Sequence, residues 1–253
     1  MNKMYHIGLT DDLDVKYALL PGDPARVAKI AKFLDTAEPL TISREYSSYL
    51  GTLEGEKVLV MSTGMGGPSA AIGVEELVQI GVHTIIRVGS TGGIDLDVKG
   101  GDLVIPSSTI RMEGTSREYL PIEFPAVANH EVLFALIEAA KTLEQNFHVG
   151  VVHTKDSFYG QHNPARMPVS YELEQKWEAW KRGGALASEM ECAAIFTVSQ
   201  VLKLRAGAVL HVLWNKDRLK LNLPDEENHD MTAAIKTAVE AIRLLIQNDL
   251  KYS

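Results

Sequence analysis

The strongest constraint on this chain's fold is a regular alternation of short apolar runs with amphipathic helical patterns. Apolar runs of strand length occur at residues 17–21, 46–63, 84–91, 102–110, 148–154 and 206–214, and the middle of 46–63 predicts a hairpin turn at Glu54-Gly55. Helical patterns occur at residues 24–34, 68–80, 131–143, 171–182, 188–202 and 230–247. Such alternation predicts a largely parallel sheet covered by helices, within one domain over residues 1–253.

Composition narrows the class of protein. A chain of 253 residues with 45% apolar side chains can bury a substantial core, and a net charge of −8 argues against a nucleic-acid partner. Cys192, the single cysteine, lies in an apolar helical pattern and is predicted to be a buried core residue. We find neither a signal-peptide pattern nor an apolar run of ~20 residues, so we expect a cytoplasmic enzyme without a membrane partner.

Glycine-rich turns follow two of the predicted strands. In PGDPAR, residues 21–26, Gly22 permits close backbone approach, and Arg26 lies in the first turn of a helix whose free N–H groups favour anions. The same residues also suit a plain strand–turn–helix connection. In STGMGGPSAA, residues 62–71, the glycines could form a concave nest of backbone donors or permit tight helix packing. Sequence alone leaves both pairs of alternatives open.

Arg87 is an unusual residue because it lies inside the apolar strand 84–91. A buried, unpaired guanidinium is very costly, so Arg87 must meet either a bound anion or a carboxylate of the protein. Ser90 and the following Thr91 and Gly92 offer hydroxyl and amide donors at the end of this strand. The guanidinium groups of Arg26, Arg44 and Arg87 can make paired hydrogen bonds to phosphate. Together with the donors after Arg87, they suggest a site for a phosphate-sized dianion.

Two carboxylates begin the predicted helix 188–202. Glu189 and Glu191 stand two positions apart, about 200° around a helix, so we expect that they cannot share one role. One of them could accept hydrogen bonds from a polyol such as ribose, whereas the other could cap the helix. Neither has metal-ligand spacing with His or Cys, so we expect no transition-metal site.

The stretch DSFYGQHNPAR, residues 156–166, is both aromatic and rich in turn formers. Phe158 could pack against a base or sugar, and the Gln161 amide matches a –CO–NH– edge because it offers a donor and an acceptor. The sequence thus offers a site for an anion, a carboxylate that could accept hydrogen bonds from a polyol, and an amide that could pair with a planar base. Together these groups suggest that the protein binds phosphate, ribose and a base.

These motifs resemble those of the nucleoside phosphorylases of the hexameric, bacterial type, in the purine/uridine phosphorylase superfamily. The resemblance rests on HIGLT, PGDPARV, SREY, STGMGGPSAAIGVEEL, IIRVGSTGGI, EFPAV, DSFYGQ and SEMECAA, which occur in family order. It implies a single α/β domain of three layers, with a central mixed, partly barrel-like sheet flanked by helices. It also implies reversible phosphorolysis of a nucleoside without an organic cofactor, in a homohexamer built as a trimer of dimers. Phosphate would be the co-substrate.

The resemblance assigns roles to individual residues. Phosphate would be held by Gly22, Arg26, Arg87, Ser90 and, from the neighbouring subunit, Arg44. Ribose would be bound by Glu189, Met190, Glu191 and the neighbour's equivalent of His6. The base would meet Thr91, Gly92, Phe158, Gln161, Arg166 and Lys216. A potassium ion would lie between subunits near Glu45 and Ser69.

Departures from the family pattern bear on the base. Trp214 stands where purine-cleaving relatives carry an Asp, which favours a pyrimidine, with uridine as the expected substrate. Asn163 stands where pyrimidine-cleaving relatives carry an Arg, a loss that Arg166 could restore, and Lys216 replaces another family Arg. The alternatives are a purine nucleoside phosphorylase, a nucleosidase of the same superfamily, or a nucleoside-binding protein without catalysis.

Overall fold

A mixed sheet runs through the computed structural model, which describes residues 2–252. Its strands are β1 (Tyr17–Pro21), β2 (Thr36–Ser43), β3 (Tyr46–Leu53), β4 (Glu56–Met61), β5 (Thr84–Gly93), β6 (Leu103–Met112), β7 (Ala126–Val127), β8 (Phe147–Lys155), β9 (Ala187–Glu189) and β10 (Arg205–Trp214). The spatial order is β10-β6-β8-β9-β5-β1-β4-β3-β2, with β7 on β6. Because β10 also pairs with β5, five strands close into a barrel.

The sheet is mixed, which corrects the expectation of a largely parallel one. β1 runs parallel to β4 and β5, and β5 runs parallel to β10. The hairpins β2–β3 and β3–β4 are antiparallel because short turns join their strands, and β9 runs antiparallel to β5. The predicted turn at Glu54-Gly55 is confirmed, with both residues at positive φ. The mixed, partly barrel-like sheet that the family resemblance implied is also confirmed.

Helices cover both faces of the sheet. They are α1 (Pro24–Ala31), α2 (Gly67–Gln79), α3 (Thr115–Tyr119), α4 (His130–Thr142), α5 (Phe158–His162), α6 (Ser170–Arg182), α7 (Cys192–Val201), α8 (Lys216–Lys220) and α9 (Thr232–Tyr252). Short 3₁₀ turns occur at Asp11–Leu13 and Pro164–Arg166. Within residues 2–252, none of these helices is long and apolar enough to cross a membrane.

Two apolar clusters form the core. One joins the sheet to α2 and α7, and the other joins it to α1, α4 and α9, which gives the three predicted layers. Cys192 is buried in the first cluster, as expected. α1 begins as predicted, because the Asp23 side chain accepts a hydrogen bond from the Ala25 amide and Pro24 occupies the first turn.

The prediction of one helix over 188–202 is wrong at its N-terminal end. Ala187–Glu189 form β9, which lies between β5 and β8, and helix α7 begins only at Cys192. The Glu189 carboxylate accepts hydrogen bonds from the backbone amides of Glu191 and Cys192, so it satisfies donors that a longer helix would have used. The sequence pattern missed this turn because apolar residues continue on both sides of it.

Candidate active site

A cavity of about 740 Å³ opens at the carboxyl ends of β1, β5, β9 and β10, where a sheet of this kind binds ligands. It gathers most of the side chains that the sequence singled out. Its lining includes Gly22, Arg26, Arg87, Ser90, Thr91, Gly92, Phe158, Glu189, Met190 and Glu191. Glu45 and Ser69 also line it.

Arg87 is the centre of the charged end of this cavity. Its side chain is almost fully buried, and its Nε donates to Glu189 Oε2 at 3.2 Å while its Nη2 donates to Glu191 Oε2. Arg87 therefore meets carboxylates of the protein, one of the two alternatives that the sequence left open. The two carboxylates raise the pKa of Arg87 against the opposing effect of burial, so the guanidinium stays charged.

One nitrogen of Arg87 remains available for a ligand. Nη1 is buried and has no hydrogen-bond partner among residues 2–252. A Cβ atom added at Gly22 would lie 3.9 Å from this nitrogen, so the donor is close to the first glycine turn. A buried guanidinium nitrogen without an acceptor is costly, and an incoming anion would satisfy it. The ion pair and the anion site are therefore compatible.

Arg26 and Ser90 lie beside this donor. Arg26 Nη2 is 3.4 Å from Ser90 Oγ, to which it donates. Burial lowers the pKa of Arg26, and the positive charge of Arg87 lowers it further, against the opposing effect of Asp23. Among residues 2–252 no carboxylate forms an ion pair with Arg26, so this guanidinium and that of Arg87, which line the same cavity, favour a bound anion.

The second glycine turn supports a carboxylate as well as helix packing. The Gly66 amide donates to Glu191 Oε1 at 2.6 Å, and the Gly64 amide donates to the Gly22 carbonyl oxygen at 3.0 Å. Both glycines have positive φ. A Cβ atom at Gly64 would approach the Glu45 side chain to 2.8 Å, so this turn needs glycine for close contact.

Glu189 and Glu191 share the contact with Arg87, which overturns the expectation that they could not share a role. The helical angle between them does not apply, since Glu189 ends a strand. Glu189 accepts hydrogen bonds from Arg87, the Thr154 hydroxyl and two backbone amides, so its oxygens are largely used. Glu191 accepts from Arg87 and the Gly66 amide, which leaves it more capacity for sugar hydroxyls. Burial raises the pKa of Glu191 despite the neighbouring Arg87.

The two residues that the resemblance assigned to a neighbouring subunit do not line this chain's own cavity. His6 Nδ1 is 2.6 Å from Glu76 Oε1, and the Glu76 carboxylate also accepts from the backbone amides of His6 and Ile7. The Arg44 guanidinium lies 5.8 Å from the centre of the Tyr5 ring. Both residues thus lie on the surface around Tyr5 and Ile42, whose side chains are exposed.

The predicted base residues divide into two groups. Phe158, Thr91 and Gly92 line the main cavity, whereas Gln161 lines an adjoining cavity of about 500 Å³. Arg166 and Lys216 line neither. The Arg166 guanidinium lies 5.7 Å from the centre of the exposed Tyr159 ring, and Lys216 Nζ lies 5.8 Å from that of Trp214.

Lys155 is the main site residue that the sequence reasoning missed. It ends β8, is 4% exposed, and lines both cavities together with His162. Burial lowers the pKa of Lys155 to about 8 and that of His162 to about 4. The signal that identified Arg87, a cation at the end of an apolar strand, also marks Lys155 in HVGVVHTK. Ser188 and Trp214, which also line the main cavity, were not assigned to the site.

The fold and the cavity agree with the comparisons with known proteins. Residues 16–247 match the model of the phosphorylase superfamily, and the chain belongs to this family. The chain is 51% identical over 245 residues to the uridine phosphorylase of Treponema pallidum (strain Nichols), covering 97% of this chain and 95% of that protein. It is 40% identical over 250 residues to the uridine phosphorylase of Escherichia coli (strain K12), covering 96% and 98%. A guanosine phosphorylase of Halorubrum lacusprofundi is 34% identical over 253 residues, covering 97% and 100%.

Proposed function

We propose that this protein is a pentosyltransferase that catalyses the reversible phosphorolysis of uridine to uracil and ribose 1-phosphate. The observation that carries the proposal is the buried Arg87 Nη1, which lacks an acceptor within the described chain and lies beside Gly22. Arg26, Ser90 and Glu191 line the same cavity, so groups suited to phosphate and to a sugar are adjacent. The relatives named uridine phosphorylase, at 51% and 40% identity over nearly the whole chain, support the choice of nucleoside.

In this proposal, phosphate binds to the Gly22 turn, Arg26, Arg87 and Ser90. One phosphate oxygen attacks the anomeric carbon of the ribose as the bond from that carbon to N1 of the base lengthens. The sugar gains cationic character, which the phosphate dianion stabilises, and the bonding electron pair leaves with the base. Catalysis then comes from positioning and electrostatics, and no covalent intermediate with the protein is needed.

The ribose and base would occupy the rest of the cavity. Glu191 would accept hydrogen bonds from the ribose hydroxyls beside Met190, while Glu189 holds Arg87 and the start of α7. Phe158, Thr91 and Gly92 would contact the base. Lys155 and Gln161 would stabilise the departing uracil anion, because both present hydrogen-bond donors near the point where the two cavities meet. The anion takes its proton from solvent.

The assembly and the ion site are part of the same proposal. We propose a homohexamer, a trimer of dimers, in which His6 and Arg44 complete the ribose and phosphate sites of a neighbouring subunit. Their position outside this chain's own cavity, on a surface with exposed Tyr5 and Ile42, supports this arrangement. We also propose a potassium ion near Glu45 and Ser69, no organic cofactor, and a cytoplasmic location. Sedimentation of the native protein would test the homohexamer. Dependence of the activity on potassium would test the ion site.

A phosphate-dependence assay tests the function. The protein is incubated with uridine, with and without phosphate, and free uracil is followed. We expect release only with phosphate; equal release without it would indicate hydrolysis, and binding without release would indicate a non-catalytic nucleoside-binding protein. Inosine and guanosine, run in parallel, test purine phosphorolysis, while thymidine and deoxyuridine test the choice of sugar and of base substituent.

A further inference from the structure

The Ser188 hydroxyl is the centre of a buried polar cluster behind the base end of the cavity. Its Oγ lies 2.7 Å from Gln161 Oε1, 2.9 Å from Lys155 Nζ and 2.9 Å from His153 Nδ1. Ser188 itself is 4% exposed and belongs to β9, the strand that ends in Glu189. One hydroxyl therefore contacts an amide, an amine and an imidazole.

The hydroxyl has a single proton and two lone pairs, which limits how these contacts can be made. A protonated lysine can only donate, so Lys155 donates to Ser188. The separation of 2.7 Å from Gln161 matches an O–H···O hydrogen bond, so the hydroxyl proton lies on the line to Oε1. His153 must then donate from Nδ1, its other nitrogen facing the weakly accepting Met112 sulfur. Burial lowers the pKa of His153 to about 3, which keeps the ring neutral with one N–H.

The orientation of Gln161 follows from this pattern. Because Oε1 accepts from Ser188, the amide nitrogen points away from Ser188, and Nε2 makes no hydrogen bond with any residue in the described range 2–252. Lys155 donates to Ser188 and, at 3.5 Å, to the Glu189 carbonyl oxygen, so its third N–H is available. Both groups therefore offer donors where the two cavities meet.

We propose that Ser188 is a positioning residue that fixes Gln161 with its amide nitrogen free, so that the site selects bases by their carbonyl oxygens. This inference rests on the proposed function and adds the origin of its base selectivity. A 2,4-dioxopyrimidine offers two carbonyl oxygens to the donors of Gln161 and Lys155. Cytosine carries an amino group in place of one carbonyl, and a donor facing a donor leaves both unsatisfied.

The test compares Ser188→Ala with Ser188→Thr, which keeps a hydroxyl. Ser199→Ala is the matched control, since the Ser199 hydroxyl is buried on α7 and has no partner among the described residues. We expect Ser188→Ala to lower kcat/KM for uridine about tenfold or more, because the amide orientation is no longer fixed. The KM for phosphate should change less than about twofold. Ser188→Thr should restore most of the uridine activity, and Ser199→Ala should match the wild-type protein.

Base discrimination gives a readout that a merely structural role would not change. The ratio of kcat/KM for uridine to that for cytidine should fall about tenfold in Ser188→Ala, as Gln161 becomes free to present its oxygen. An unchanged ratio, or equal losses toward uridine and phosphate, would overturn the proposal. Thermal unfolding of all three variants identifies any loss that comes from misfolding.

Two binding measurements separate this proposal from the proposed function. If the wild-type protein released no uracil, the proposed function would fail, and uracil and cytosine would then be titrated as free bases. Tighter binding of uracil than cytosine, lost in Ser188→Ala and retained in Ser199→Ala, would still support the role of Ser188.

Nitrogen NMR of the His153 ring should show the proton on Nδ1; a proton on Nε2 would overturn the assignment, because Ser188 would then donate to the ring.

Discussion

The two ends of the cavity are built differently. At the anion end, Arg87, Glu189 and Glu191 are each at most 4% exposed, and they hold one another from two strands and a helix start. At the base end, Phe158 is 41% exposed and lies on a helix of five residues. Buried charges must be paired, so the anion end is fixed before a ligand arrives. The aromatic side of the base end is exposed, whereas the polar cluster around Ser188 behind it is buried, so we expect local motion on the aromatic side.

The most severe effect is expected at the anion end, from Arg87→Ala. This change removes the cation between two buried carboxylates and the free donor for phosphate. We expect a loss of kcat of about a hundredfold or more and a destabilisation of about 3 kcal/mol or more. Initial rates over a range of phosphate, together with thermal unfolding, provide the measurement. Unchanged phosphate affinity would show that Arg87 only holds the carboxylates, and Arg87→Lys controls for the charge.

We expect the two carboxylates to differ in role, with Glu191 binding the ligand and Glu189 stabilising the fold around it. Glu191→Gln should lower kcat/KM for uridine about a hundredfold while the protein stays folded, since Glu191 has capacity for the ribose. Glu189→Gln should lower the free energy of unfolding by about 2 kcal/mol, because an NH₂ group would face existing donors such as the Thr154 hydroxyl. Kinetics and denaturant unfolding of both variants check this pair. Equal losses of stability would remove the distinction.

The base end should respond to pH through Lys155. Burial lowers its pKa to about 8, so the ammonium form predominates below that pH and is lost above it. If the ammonium stabilises the departing base, kcat/KM for uridine should fall as pH rises through about 8. Lys155→Met should be slower and lack this alkaline decline, whereas Lys155→Arg should stay charged throughout. An identical decline in Lys155→Met would assign it to another group.

The smallest effect is expected from Arg166→Ala. Arg166 is exposed and lies over Tyr159, outside both cavities, so the KM for uridine should change less than about twofold. Steady-state kinetics measures this, with Arg182→Ala, an exposed change at the end of α6, as the control. A clear rise in the KM for uridine alone would instead show that Arg166 reaches the base and replaces the arginine that Asn163 lacks.

The sequence predicted the anion end better than the base end for a physical reason. A charged Arg87 inside an apolar strand needs a partner, and glycines that precede helices lie at the ends of strands. Residue types and hydrophobic periodicity were therefore enough to predict the anion end. The turn between β9 and α7 could not be predicted from residue types and periodicity, because it depends on backbone amides that donate to the Glu189 side chain. Tertiary contacts decide such a turn, and no local pattern records them.

The base end also illustrates the limits of spacing along the chain. Phe158 and Gln161 are three residues apart on α5, yet they line different cavities. Ser188 and Lys155 come from distant segments and meet only because β8 and β9 pair side by side. The strand pattern predicted β8, but it gave no sign of β9, which has only three residues. For that reason the cluster around Ser188 could not be predicted from the sequence.

The shortness of β9 has a consequence for how this protein folds. This strand closes the five-strand barrel between β5 and β8, and its three residues include both Ser188 and Glu189. The barrel cannot close without assembling the ligand site, and the site cannot exist in a chain whose barrel is open. Ligand should therefore add directly to the global stability of the native state. Amide hydrogen exchange in Ala187–Glu189 should slow on adding phosphate and uracil by as much as the whole barrel slows.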